Sequence, residues 1–152
     1  MPSLAEYLSG EHIQSRKLFA DAERAVCEEQ WEIAILHFEH LIFDLEQHFK
    51  KEELISFPSL VSALEHAQVP IAVMYQEHNQ IRRLLIHIRL ILRRRDKNSF
   101  LRNSESLITL MNQHNHREEN IIYHIAGDML HKEISDVIRQ MDSFENQIPT
   151  SS

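Results

Sequence analysis

The chain repeats itself at a fixed offset. His12, His48 and Glu52 recur as His78, His114 and Glu118, each shifted by 66 residues. The flanks repeat with them. Glu11-His12-Ile13-Gln14-Ser15-Arg16-Lys17-Leu18 aligns with Glu77-His78-Asn79-Gln80-Ile81-Arg82-Arg83-Leu84, and the segment from His48 to Ile55 aligns with the segment from His114 to Ile121. An internal repeat constrains the fold because each copy is a unit that must bury its apolar face against its neighbour. The shared residues are metal-ligand types, so the repeat also points to chemistry: four His and two Glu offered by two halves to one buried site.

The rest of the chain reads as helix. Only two Gly and four Pro occur in 152 residues, while aliphatic and charged residues dominate, which is helix-bundle composition in a single domain with a sizeable core. Apolar residues recur in alternating steps of three and four. Leu8, His12, Ser15, Phe19, Ala22 and Val26 form one stripe, and Ala34, Phe38, Leu41, Leu45, His48, Glu52 and Ile55 a second. Ile71, Met74, His78, Ile81, Leu85, Ile88 and Leu92 form a third, and Leu107, Met111, His114, Glu118, Ile121 and Ile125 a fourth. All six repeated ligand-type residues fall on these inward stripes, where polar residues are rare.

The pattern predicts four helices, over 11–28, 31–55, 70–94 and 100–121, after a lead-in of residues 1–10 containing Gly10. Pro58 is expected to break the second helix, with a short helical connector over 59–67, and Ser99 to cap the fourth. A trailing helix is expected over 128–145 beyond Gly127, so that the bundle spans 11–145 and residues 146–152 form a flexible tail. Register supports an antiparallel up-down arrangement. The midpoints of 12 and 48 and of 78 and 114 fall at 30 and 96, both in polar corners, and that of 48 and 78 falls at 63, inside the connector. Each His is then about 18 residues, or roughly 27 Å, from its hairpin turn, and all four stand at one level of the bundle.

His-x-x-x-Glu puts both side chains on one helix face. Two such pairs plus two single His make a set of four imidazoles and two carboxylates. Buried without metal, the carboxylates would be strongly unfavourable, and one would have to hold a proton. One dication uses part of the set; two, sharing bridging carboxylates, use it all. Imidazole with carboxylate suits iron, manganese, zinc or copper, and a thiolate-free set with spare positions favours iron over structural zinc. The only cysteine, Cys27, provides no disulfide framework and reads as a small filler on a helix. A ferritin-like site is excluded by spacing, since no His has a Glu three residues before it.

These residues carry a resemblance. Glu11-His12, His48 through Glu53 with Phe57-Pro58 after it, Glu77-His78, and His114 through Ile122 resemble a hemerythrin-type (HHE cation-binding) domain over about residues 10–125. Oxygen carriers of that family typically use five His, one of them in a His-x-x-x-His on the third helix, and an Asp five residues after the last His. Here those positions are Met74 and Glu119. The four-His, two-Glu set is more similar to the di-iron proteins that repair iron centres, and the N-terminal cysteine-bearing domain those proteins often carry is not expected here. The resemblance implies that His12, His48, His78 and His114 bind two iron ions, oxo-bridged, with Glu52 and Glu118 as bridges, and that zinc or manganese can substitute. It implies handling of O2, NO or peroxide in oxidative or nitrosative stress or in iron-centre repair. A non-catalytic O2 carrier or sensor and a zinc-filled structural bundle are the alternatives.

The remaining candidates have blander readings. Glu53 and Glu119 are expected to face outward or to support the ligands, and Glu11 and Glu77 are candidates for orienting imidazoles. His37, His40, His66, His87, His116 and His131 read as peripheral, His124 as a spare ligand, Met74 and Met111 as core. Tyr7, Tyr75 and Tyr123 are candidates for the surroundings of the site. Residues 70–97 carry a net charge of +5, from Arg82, Arg83, Arg89, Arg93, Arg94, Arg95 and Lys97 against Glu77 and Asp96, in a chain of net charge −7. This is a solvated face with dipole capping or, alternatively, a surface at 82–97 for a homodimer or an acidic protein partner. The pI near 5.8 argues against nucleic acid. No apolar run approaches membrane-spanning length and no signal pattern opens the chain, so no membrane contact and a cytoplasmic location are expected.

Overall fold

The computed structural model describes residues 3–126 and 131–147, with Tyr123 and His131 among those described by backbone alone. The tail beyond 147 and Gly127 lie outside the described residues. Among the described residues six α-helices follow one another: α1 (Leu4–Cys27), α2 (Trp31–Lys51), α3 (Phe57–Ala63), α4 (Gln68–Arg93), α5 (Lys97–Ala126) and α6 (His131–Gln147). No strand occurs among the described residues. α1 packs on α2 and α5, and α4 packs on the same two, which closes a four-helix bundle. α6 lies across one end of it, against the segment after α2 and against α1 and α2.

The first helix starts earlier than its apolar stripe suggests. Ser3 caps it: its Oγ accepts from the Glu6 N–H at 3.1 Å, and Glu6 Oε2 accepts from the Ser3 N–H at 3.2 Å, a reciprocal box that satisfies two otherwise orphaned donors. Leu4 and Leu8 extend the buried stripe, and Gly10 has open space around it, so it does not interrupt the helix. The fourth bundle helix likewise starts before Ser99. The cap is Asp96, whose carboxylate accepts from the Ser99 N–H at 3.1 Å and from its hydroxyl at 2.8 Å.

α1 and α4 end in the same way. Glu29 and Arg95 take φ of 56° and 54°, and the next amide reaches back to Ala25 O and Ile91 O respectively, which is the Schellman closure of a helix C-terminus. These two turns are also 66 residues apart. Cys27, expected as a filler, is exposed beside the first turn.

Pro58 does not end the second helix as expected. The chain widens into a π-helical segment over Glu52–Ser56, in which the Phe57 N–H donates to Glu52 O five residues back, and then resumes as α3 with Pro58 in its first turn. Pro58 has no N–H to offer, and the Glu53 carbonyl, five residues before it, instead accepts from the Tyr75 hydroxyl at 2.9 Å. The extra residue per turn changes the phase of the helix. Glu52 keeps its expected inward place, Ser56 and Phe57 become buried, and Ile55, expected inward, is only partly so.

Two apolar cores result. One is built from residues such as Phe19, Phe38, Leu41, Ile88, Phe100 and Leu107 toward the hairpin turns. The other, around Leu4, Leu8, Phe57, Leu60, Met74 and Ile125, is completed by Val137, Ile138 and Met141 of α6. Between them lies a polar layer.

Candidate metal centre

That layer consists of His12 on α1, His48 on α2, Glu52 at the start of the π-segment, His78 on α4, and His114 and Glu118 on α5. None is more than 3 % exposed. Donor atoms of Glu52, His78, His114 and Glu118 lie within 4.8 Å of one another, and so do those of His12, His48 and Glu118. Glu118 belongs to both groups. Glu52 also reaches across, with Oε1 3.0 Å from His48 Nε2 and 3.3 Å from His78 Nε2. Glu118 places Oε1 3.3 Å from His12 Nε2 and Oε2 3.2 Å from His114 Nε2.

None of these approaches has hydrogen-bond geometry. All four Nε2 atoms and all four oxygens of Glu52 and Glu118 are buried without a hydrogen-bond partner. Native interiors leave very few polar atoms in that state, and eight gathered in two groups that share Glu118 need common partners. The spacing is suggestive as well. Donors sharing one ion at bonds of about 2.1 Å sit about 3.0 Å apart along an octahedral edge and about 3.4 Å apart along a tetrahedral one. The residues therefore fit divalent metal, with room in the donor set for two ions.

Outside this layer every imidazole is held by its other nitrogen. His12 Nδ1 lies 3.0 Å from Glu119 Oε1 and His78 Nδ1 2.7 Å from Glu53 Oε2. His48 Nδ1 lies 2.7 Å from Glu11 Oε2 and His114 Nδ1 3.1 Å from Glu77 Oε1. The two contacts in each of these pairs are related by the 66-residue offset. A carboxylate only accepts, so each Nδ1 carries the proton and, in the neutral imidazole, each Nε2 turns a lone pair inward. This is how metal-binding His are usually oriented. Glu53 and Glu119, expected outward or supporting, support; Glu11 and Glu77 do orient imidazoles.

Cations complete the arrangement. Arg82 forks onto Glu46 and Glu53 at 2.9–3.0 Å, Arg117 pairs with Glu77, and Lys51 Nζ sits 2.6 Å from Glu11 Oε1. Lys51 is fully buried, a placement that nothing in the apolar stripe announces. One signal was available: Lys51 and Arg117 are offset by 66 residues, each immediately before a central Glu. Aromatic rings pack the rest. Phe49 stacks on His78 at 4.0 Å between centroids, and Phe57 at 5.5 Å.

Without metal the layer is electrostatically divided. Burial pushes the Glu52 carboxyl well above the usual carboxylate range, and the Glu118 charge adds to this. Burial acts on Glu118 in the same direction, but the proton on Glu52 and the imidazoles of His114, His12 and His78 outweigh it and hold Glu118 well below that range. Burial alone would lower His78; its contacts with Glu118, Glu52 and Glu53 instead raise it to about 9. The metal-free pair thus shares one proton beside a cationic His78, as two buried carboxylates must. Glu11 is held down at about 2, because contacts with His48 and Lys51 overcome its burial.

The other sequence candidates stay apart. His40, His66, His87, His116 and His124 are exposed and His37 is half-buried, while the side chains of His131 and Tyr123 lie outside the described residues. Met74 and Met111 are core. No helix among the described residues is long and apolar enough to cross a membrane. The family model for the hemerythrin HHE cation-binding domain matches residues 3–126, which contain all six inward residues. No curated protein and no solved structure matches the chain.

Proposed function

The chain belongs to the hemerythrin family of HHE cation-binding domains, and we propose that it is a non-haem di-iron protein that takes O2, NO or peroxide at the buried centre, acting in the cytoplasm in stress protection or iron-centre repair. The observation that carries this reading is the convergence of eight unpartnered donor atoms from His12, His48, Glu52, His78, His114 and Glu118. Iron there would supply redox chemistry and coordination positions beyond those the protein fills. The protein's own part is to hold four neutral imidazoles by their Nδ1 atoms, to keep two carboxylates between them, and to surround both with apolar side chains that exclude water. Such a pocket suits a small ligand, uncharged or singly charged. The four-His, two-Glu set is the basis for preferring the repair type over a five-His carrier.

Burial of the whole donor set also supports a second reading, a structural bundle closed around zinc. Metal analysis of protein purified from iron-replete cells, with an absorption spectrum before and after O2, NO and azide, separates the two. About two irons per chain and a charge-transfer band that responds to NO or azide are expected. Zinc alone, or an iron spectrum indifferent to saturating NO and azide, would replace the first reading with the second.

A further inference from the structure

α6 lies outside the segment matched by the family model, yet a continuous polar chain links it to the metal layer. Asp142, exposed on α6, accepts the Tyr7 hydroxyl at 2.9 Å. That hydroxyl accepts from Lys51 Nζ at 3.3 Å, and the ammonium also stands 5.4 Å from the Tyr7 ring centroid. Lys51 Nζ donates in turn to Glu11 Oε1 at 2.6 Å, and the other oxygen of Glu11 takes the Nδ1 proton of His48 at 2.7 Å. An ammonium that is fully buried needs charged and dipolar partners on several sides; among them are Glu11 of α1 and the Tyr7 hydroxyl of α1, which Asp142 of α6 backs.

We propose that Tyr7 and Asp142 are positioning residues of the metal centre, acting through Lys51 and Glu11 on His48, so that docking of α6 tunes the metal. This rests on the reading of His48 as a ligand. The physical link is competition for charge. Ammonium charge drawn toward the Tyr7 hydroxyl and Asp142 leaves Glu11 freer to accept from His48, which makes the imidazole a stronger donor. Loss of either outer group shifts the ammonium onto Glu11, weakens the Glu11–His48 bond and loosens His48.

The test uses the full chain loaded anaerobically with Fe(II), in wild type, Tyr7→Phe, Asp142→Ala, the double variant, and Ser143→Ala as a control on the exposed side of α6. Tyr7→Phe and Asp142→Ala are expected to load wild-type amounts of iron but to release it to a chelator on the order of 10-fold faster, the lower end of what partners of ligating His cost. Their iron midpoint potential is expected to rise, which a purely structural cap would not cause. The double variant is expected to resemble the single ones, because both act through one hydroxyl. Wild-type release rates and potentials in both single variants would overturn this proposal while leaving the metal centre intact. Failure of the wild type itself to bind iron would instead refute the reading on which it rests.

Discussion

The opposite states of Glu52 and Glu118 in the metal-free bundle make a prediction that the sequence repeat alone would not. The repeat predicts equivalent roles, and as ligands both glutamates are expected to matter equally. Without metal they differ. Glu118 is the ionised member, in contact with cationic His78, whereas Glu52 carries the shared proton. Glu118→Gln therefore leaves the inward Nε2 edge of a buried imidazolium without its ionised carboxylate, with Glu53 remaining at Nδ1, which costs about 3–5 kcal/mol. In a domain of this size 1 kcal/mol is worth about 2–4 °C, so the metal-free melting point should fall by about 6–20 °C. Glu52→Gln replaces a protonated carboxyl by a neutral amide of nearly the same shape, and its metal-free melting point should stay within about 1 kcal/mol of the wild type. Metal adds a second signature. At a thousandfold excess over Kd it stabilises the wild type by about 4 kcal/mol, or roughly 8–16 °C, and both variants should lose most of that increment. Thermal melts at pH 7.5, with iron or with chelator, measure all six values. Equal metal-free melting points for the two variants would refute the division of charge, and a wild-type metal increment in either would refute the bridging role.

Metal binding should expel protons, since both the Glu52 proton and the second proton of His78 must leave; at pH 7.5 about two per chain are expected, measurable by calorimetry in buffers of different ionisation enthalpy. The metal-free protein should lose stability as pH rises from about 6.5 to 9. His78 is raised to about 9, so its contribution is complete below its unfolded value of about 6.5 and vanishes through 9, with a slope approaching 1.4 kcal/mol per pH unit per proton. Urea midpoints across that range should show the decline in chelated protein and not in the iron-loaded form. On the acid side the stabilisation from Glu11, lowered to about 2, should disappear as pH falls from about 5 toward 2. Phe57→Ala should cost about 3–5 kcal/mol, because the ring is fully buried and stacks on His78, and urea unfolding of the chelated variant measures it.

Much of the fold was legible because its constraints are periodic. Steps of three and four placed the stripes, and the 66-residue offset placed the hairpin corners at 30 and 96, where Glu29 and Arg95 indeed close their helices. What escaped is aperiodic. The reach of α1 back to Leu4 depends on a cap between Ser3 and Glu6, two polar residues with no apolar signal. Pro58 signals a break by the ordinary rule, and the break was averted because a π-segment had already shifted the hydrogen-bond register by one. Asp96 and Ser99 are both good caps by type, and only the geometry shows which side chain accepts.

The site divides in the same way. Its six inward residues could be read because they violate the apolar stripe, and a violation repeated at one offset has few explanations. Their supports obey no such rule. Glu11 and Glu77 could be read as candidates for orienting imidazoles and Glu53 and Glu119 as outward or supporting, but which imidazole each one holds is identified only by the geometry. Lys51 is the sharpest case. A lysine beside another lysine near the end of a helix reads as a cation favouring the helix dipole, yet its neighbour Lys50 is exposed and Lys51 is not. The difference comes from partners distant in sequence, Glu11 and Tyr7 across α1 and Asp142 behind them. Burial of a charge is a property of those partners as a set, so it could not be assigned until the helices that carry them had been brought together.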